Sequence, residues 1–247
     1  MLRVRNLQVD VGSDDHDAAV AWWSAALGAT ARSTDEPEYT HLDGVRAAIG
    51  VHVQRLGEGA GRYHLDLETD GDVDAEVARL VELGATDVGP LPGGETGRIL
   101  ADPAGLPFCL TTTGQAQHLD ESRDLARLFA VVFDVPADAV AAEGEFWAAA
   151  FVGHVLPPHP DHPEFTAVRG LEGPGGRLGV LVQALGDGKP GMHVDLYVPD
   201  EATRDAEVER LAALGATVHA RGAWAVLHAP GGHAACVVPA EVPETGT

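Results

Sequence analysis

The sequence predicts an α+β fold of two tandem domains, on three observations. The chain is written twice, each half is itself written twice, and every quarter passes from a period-two pattern to a helical one. "HLDLETDGDVDAEVARLVELGAT" begins at His64, and "HVDLYVPDEATRDAEVERLAALGAT" begins at His193, 129 residues later. Gln54 and Gln183 keep that offset of 129, Gly84 and Gly215 lie 131 apart, and Cys109 and Cys236 lie 127 apart. Offsets so nearly constant mark a tandem duplication with small insertions, and they divide the chain into residues 1–114 and 124–240. The polar stretch "TTTGQAQHLDESRD", Thr111 to Asp124, joins the two.

The finer repeat runs inside each half. "VDVGSDDHDAAVAWWSAALGAT" (Val9 to Thr30) and "LDLETDGDVDAEVARLVELGAT" (Leu65 to Thr86) share one plan: apolar-Asp-apolar, a polar turn, an amphipathic stretch, then Leu-Gly-Ala-Thr. A more degraded copy starts at Phe133, and the fourth starts at Val194, so Asp10, Asp66, Asp134 and Asp195 are equivalent. In "YHLDLE", Tyr63, Leu65 and Leu67 alternate with His64, Asp66 and Glu68, which is a strand with one apolar and one polar face. Val73, Val77 and Leu80 follow at helical spacing; Asp72 suits the N-cap, Glu76 and Arg79 pair at i,i+3, and Gly84 suits the C′ position. The apolar strand face therefore packs on the helix, and the face with His64 and Asp66 points away from it. Short apolar runs such as "RAAIGVHVQRL", "GRILADP" and "LPFCLTT" complete each quarter as βαβββ.

Composition narrows the functional classes. The 247 residues include 38 Asp and Glu against 16 Lys and Arg, for a formal net charge of −22, and Lys189 is the one lysine. Such a surface repels nucleic-acid backbones and anionic membranes, so neither is an expected partner. No apolar run reaches transmembrane length, and the N-terminus lacks a signal-peptide pattern, which makes the cytoplasm the expected compartment. Two cysteines, Cys109 and Cys236, do not make a disulfide framework.

Two βαβββ modules per domain, with histidine heading the second module's strand, resemble the vicinal oxygen chelate (VOC) superfamily of glyoxalase I, bleomycin-resistance proteins and extradiol dioxygenases. The pattern "HLDL…DAEVARL…LGA…ADPAG…FCL" resembles its glyoxalase-like domain group most, and the resemblance covers both halves. It implies that each domain's paired modules form a cup-shaped mixed sheet with helices outside. It also implies that cup-facing residues of the first, fourth, fifth and eighth strands can hold a divalent metal. Carried onto this chain, those positions are Gln8, His52 or Gln54, His64 and Cys109 in the first half, and Val132, Leu181 or Gln183, His193 and Cys236 in the second. Metal-dependent members place Glu where Cys109 and Cys236 stand, so both halves depart from the metal pattern.

His64 and His193 are the catalytic candidates, as general bases or as metal ligands with Gln8. The alternative is a pocket-lining or structural histidine bonded to Asp66 or Asp195. Gln8, Asp10, His52, Gln54, Cys109, Gln183 and Cys236 are the remaining ligand-binding candidates. The four equivalent aspartates suggest a strand-edge or turn role more than four catalytic acids, and buried cysteine is more often a small hydrophobe than a zinc ligand. "HPDHPE", with His159, His162 and Glu164, reads as an exposed Pro-rich loop, and Trp22, Trp23 and Trp147 read as core or interdomain packing. The leading expectation is a cup that binds a small organic molecule, as a resistance or sequestration protein or an enzyme of unknown reaction. The alternatives are a lyase, isomerase or extradiol dioxygenase using Zn, Ni, Mn or Fe, and a non-catalytic scaffold with degenerate pockets. Single-domain relatives pair as dimers, so a fused chain forms an intrachain pseudo-dimer, with homodimerisation of the whole chain open. In some relatives each site takes strands from both partners, which here groups Gln8 and Gln54 with His193 and Cys236.

Overall fold

The computed structural model describes residues 2–57, 61–92, 96–112, 119, 126–158, 160–173 and 176–239. Most of the predicted connector, and His159 of the Pro-rich loop, lie outside the described residues. The first half runs β1 (Leu2–Gly12), α1 (His16–Leu27), β2 (Thr30–Ser33), β3 (Tyr39–Asp43), β4 (Gly50–Leu56), β5 (Arg62–Thr69), α2 (Val73–Glu82), β6 (Thr86–Pro90), β7 (Gly97–Ala101) and β8 (Pro107–Thr112). The second runs β9 (Arg127–Pro136), α3 (Val140–Ala150), β10 (His154–Val155), β11 (Phe165–Arg169), the hairpin β12 (Glu172–Gly173) and β13 (Gly176–Arg177), β14 (Gly179–Leu185), β15 (Gly191–Val198), α4 (Glu201–Ala213), β16 (Thr217–Arg221), β17 (Ala225–His228) and β18 (Ala234–Pro239).

Each half builds one eight-stranded mixed sheet, in the orders β2-β3-β4-β1-β5-β8-β7-β6 and β10-β11-β14-β9-β15-β18-β17-β16. The two first strands of a half, β1 and β5 or β9 and β15, pair antiparallel at the centre, and each pairs parallel with the last strand of its own module. That register places Gln8 opposite His64 and beside His52, and Asn6 opposite Asp66. The α2 signals read from sequence are all present: Asp72 accepts from Ala75 N–H at 2.9 Å, Arg79 reaches Glu76, and Gly84 follows the C-cap with φ +118°.

The helices cover the apolar backs of both sheets and form one core shared by the halves. Trp22 donates its indole N–H to Leu211 O in α4, and Phe108 of β8 packs on Trp147 of α3 at 5.4 Å between centroids. The joint has approximate two-fold symmetry. Arg79 of α2 donates to the terminal carbonyls of α3 at Ala149 and Ala150, and Arg210 of α4 donates to those of α1 at Ala25 and Ala26. A cation at a helix C-terminus answers both the unpaired carbonyls and the helix dipole. Pairing between halves, expected of a fused dimer, runs through these helices and also through the strands: Leu128 N–H donates to Arg46 O at 2.9 Å, and Tyr63 Oη to Ala234 O at 3.0 Å.

Helix α3 carries its glycine in the wrong place. Gly144 is buried inside the helix, where an added Cβ would meet Val155 and Thr166 only at ordinary contact distances of 3.7–3.9 Å. Beyond the C-cap, Val152 adopts φ +57° and is 93% exposed. Helix interiors disfavour glycine, and β-branched residues disfavour positive φ. Gly144→Ala and Val152→Gly should each raise stability by about 1 kcal/mol in chemical denaturation. Gly153 tolerates no such change, because its Cβ would lie 1.8 Å from Arg169 O.

Candidate functional site

The polar faces of β1, β3, β4, β5 and β8 line a cavity of about 670 Å³ in the first half. Gln8, Asp10, His52, Gln54, His64 and Cys109 all line it. Gln183, His193 and Cys236 sit at the equivalent registers of the second sheet. Each site therefore forms within one half, and the grouping of Gln8 with His193 and Cys236 is corrected. The reason is strand order: β1 hydrogen-bonds to β5 of its own half, so no strand of the other half enters the sheet. For the same reason Gln8, His64 and His193 do not form one ligand set.

At the base of the cup each histidine stands between two aspartates. His64 Nδ1 is 2.9 Å from Asp10 Oδ2, and its Nε2 is 3.3 Å from Asp66 Oδ1. His193 Nδ1 is 2.7 Å from Asp134 Oδ2, and its Nε2 is 3.7 Å from Asp195 Oδ1. The four equivalent aspartates are thus cup residues on central strands, not edge or turn residues. Their spacing held the signal: alternation puts Asp66 on the face of His64, two residues away. Burial opposes a charged imidazole, but hydrogen bonds to Asp10, Asp66 and Cys109 outweigh it and hold His64 well above its ordinary pKa. His193 follows the same logic against burial, through Asp134 and Cys236, and reaches about 10.

Around this shared base the two cups differ. In the first, Asn6 and Gln8 each donate to Asp66 Oδ2 at 2.7 Å. Their register equivalents are Ala130 and Val132, which donate nothing. Two further polar positions change the same way: the cross-strand pair His41 and His52 corresponds to Ala167 and Leu181. The aspartates record the loss. Burial works against ionisation of Asp66, yet the donors from His64, Gln8 and Asn6 hold it down at about 2. Asp195 is raised to about 6 by burial, with Asp134 adding to the rise and His193 countering it.

Sequence reasoning missed His41, which stacks on His52 at 3.7 Å and 6°. Burial, then His41, lowers His52 to about 3, so that ring is a neutral wall. Gln54 donates to Tyr39 Oη at 3.1 Å at the rim. Gln8 Oε1 is buried without a hydrogen-bond partner, as is Asp10 Oδ1. Burial raises the Cys109 thiol, with His64 countering. His64, Asp66 and Cys109 offer a nitrogen, a carboxylate oxygen and a sulfur within 4.8 Å of one another, and His193, Asp195 and Cys236 repeat the set. His162 and Glu164 meet at 3.5 Å with both side chains half-exposed, and the His162 ring packs edge-on against Trp224 at 5.5 Å, so this loop is partly seated and not fully solvated.

Comparison with known proteins places this architecture. No curated protein matches the sequence. The fold resembles the Mn(II)-bound glyoxalase from Novosphingobium aromaticivorans, with TM-score 0.67 and 20% identity over 97% of this chain and 83% of that one. It also resembles homoprotocatechuate 2,3-dioxygenase from Arthrobacter globiformis, with TM-score 0.62 and 16% identity over 99% and 83%. A third is the 2,2',3-trihydroxybiphenyl 1,2-dioxygenase from Sphingomonas wittichii strain RW1, with TM-score 0.61 and 14% identity over 96% and 90%. The family described as "Glyoxalase-like domain" matches residues 7–111 and again 130–238, so that nearly every strand and helix above falls inside one copy or the other. The chain belongs to the glyoxalase-like domain family, in two tandem copies.

Proposed function

We propose that this chain binds a small organic molecule in the cup of its first half, and that the second cup is a twin that has lost its polar wall. The observation that carries the reading is the contrast at equal registers. Asn6, Gln8, His41 and His52 line or support the first cup, and Ala130, Val132, Ala167 and Leu181 stand in their places in the second. A buried polar wall is costly unless something satisfies it, and here Gln8 Oε1 and Asp10 Oδ1 are left for a ligand or water. His64, clamped between Asp10 and Asp66, fixes a positive charge at the base but has both ring N–H groups engaged. The test is a fragment screen by thermal shift. A hit should raise the melting temperature of wild type and not of the Gln8→Val, His52→Leu variant, which copies the second cup. A hit that stabilises both equally would place binding elsewhere.

A second reading has its own support in the clustered donors. Nitrogen, oxygen and sulfur donors suit zinc and its late first-row neighbours, and the outer Asp10 would fix the ring of His64 as carboxylates do for metal-bound histidines. A divalent metal held by His64, Asp66 and Cys109 would supply Lewis acidity to a ligand oxygen. The metal-free reading leads because Cys109 and Cys236 stand where metal-dependent members of the superfamily this sequence resembles place Glu. Elemental analysis separates the two, on protein as purified and after addition of Zn²⁺, Ni²⁺, Mn²⁺ or Fe²⁺. The expected result is no stoichiometric metal. A near-stoichiometric metal that His64→Ala or His193→Ala removes would reverse the order of the readings and name the half that holds it.

A further inference from the structure

Among the described arginines that line the cup of the first half, Arg5 has a guanidinium with no hydrogen bond or ion pair to the protein. Arg5 sits at a bulge in β1, where the register with β5 slips between Val4 and Asn6. A bulge re-aims the side chain it carries. Arg5 consequently lines the cavity, half-buried, with its Nε enclosed and lacking a hydrogen-bond partner. Its charge is felt by both His41 and His52, which places it at the histidine side of the cup. The carboxylates at the base are engaged by other groups. Asp66 accepts from Asn6 and Gln8, and Asp10 Oδ2 accepts from Arg62 and His64. Arg32, the other guanidinium on this wall, is paired with Asp43.

Near it lies an acceptor in the same condition. Gln8 is 4% exposed, and its Oε1 has no donor although its Nε2 is bound to Asp66. Across the cavity the lining turns apolar at Leu91, Ile99 and Pro107. The second half makes the contrast again. Its equivalent bulge residue is Phe129, stacked on Tyr197 at 4.7 Å, and Val132 replaces Gln8.

We propose that the first cup takes a small hydroxy-carboxylic acid with an apolar body. Its carboxylate pairs with Arg5, its hydroxyl donates to Gln8 Oε1, and its apolar part lies against Ile99 and Pro107. The second cup, with Phe129 and Val132, takes no such acid, so the stoichiometry is one per chain. The proposal rests on the first cup being the ligand site, as argued above. It adds the ligand's charge and its donor. Asp35 and Glu36 stand exposed at the mouth, where salt screens them, whereas the Arg5 pair forms inside.

Three probes separate the parts: 3-phenyllactate, its primary amide, which lacks the charge, and 3-phenylpropionate, which lacks the hydroxyl. Each is titrated calorimetrically into the full chain. Phenyllactate should bind once per chain, and each of the other two about tenfold more weakly or worse. Arg5→Gln should bind acid and amide alike, and Arg5→Lys should restore part of the preference. Gln8→Val should bind phenyllactate and phenylpropionate alike. Unchanged circular dichroism and melting temperature establish that the variants are folded, and Arg5→Lys serves if Arg5→Gln is not. Equal binding of acid and amide by wild type overturns the charge assignment. If Gln8→Val weakens both in that case, the cup remains the ligand site and only this proposal fails. Two acids per chain, a preference that survives Arg5→Gln, or no binding by any probe also overturns it. In the last case the fragment screen decides the fate of the cup.

Discussion

Replacing His64 with leucine should lower the stability of the chain by about 3–5 kcal/mol, the cost of stranding buried charge. Asp10 is fully buried and Asp66 has a side chain only 16% exposed, and the imidazolium between them is their shared counter-charge. Leucine fills the space and restores neither the charge nor the two hydrogen bonds. Asp10 keeps Arg62, which is more than half exposed, and Asp66 keeps two neutral amides. Adding Asp66→Asn to His64→Leu should recover part of the loss, because one stranded charge is then gone. His193→Leu should cost less. Asp195 lacks amide donors and is already raised to about 6, so it can take a proton when its partner leaves. Urea unfolding at pH 7 of wild type and the three variants gives the comparison. A loss below about 1 kcal/mol for His64→Leu would mean that the carboxylates are neutralised in some other way.

The legible part of this molecule was whatever repeats or alternates locally. Equal spacing of His64 and His193 exposed the duplication, and alternation along "YHLDLE" put His64 and Asp66 on the face away from the helix, where the structure has them. Partners that meet across strands were not legible. Asp10 and His64 are 54 residues apart, and their contact depends on how β1 and β5 register. Read as equivalent positions, the four aspartates looked like edge or turn residues; read in the folded sheet, each pair brackets a histidine. Arg5 was the least accessible of all. Strict alternation assigns it to the face of Leu7 and Val9, against the helices, and only the bulge turns it into the cup. Nor did any pattern show that the sites would close within halves, since the duplicated sequence is compatible with either pairing.

The second large effect belongs to the joint between the halves. Asp102→Asn should stabilise the chain at pH 8 to 9, with little change at pH 5. Asp102, after β7, faces Glu143 of α3 from the other half, and both are buried. Burial first, and then the charge of Glu143, raises Asp102 to about 9, and burial raises Glu143 too. Glu143 is already an acceptor, from Trp147 Nε1 at 2.6 Å and Ala104 N–H at 3.1 Å, so the two carboxyls can bond each other only through a retained proton. The sign follows from where that proton goes. Unfolded, Asp102 ionises near its ordinary 3.8; folded, it keeps the proton to about 9. Between those values the folded chain binds the extra proton, so stability falls steadily as pH rises and levels off outside the window. Asparagine offers an N–H where the acid offers an O–H, and it does not ionise, so its curve should be flatter over pH 5 to 9. Curves of melting temperature against pH that run parallel for wild type and Asp102→Asn would show that no proton is held there. At the symmetry-related joint the equivalent residues are Ala19 and Ala229, which hold no charge at all. A duplicated chain has thus kept two matching arginine clasps between its halves, and beside one of the two it has set a buried carboxyl pair whose ionisation with rising pH should weaken that joint.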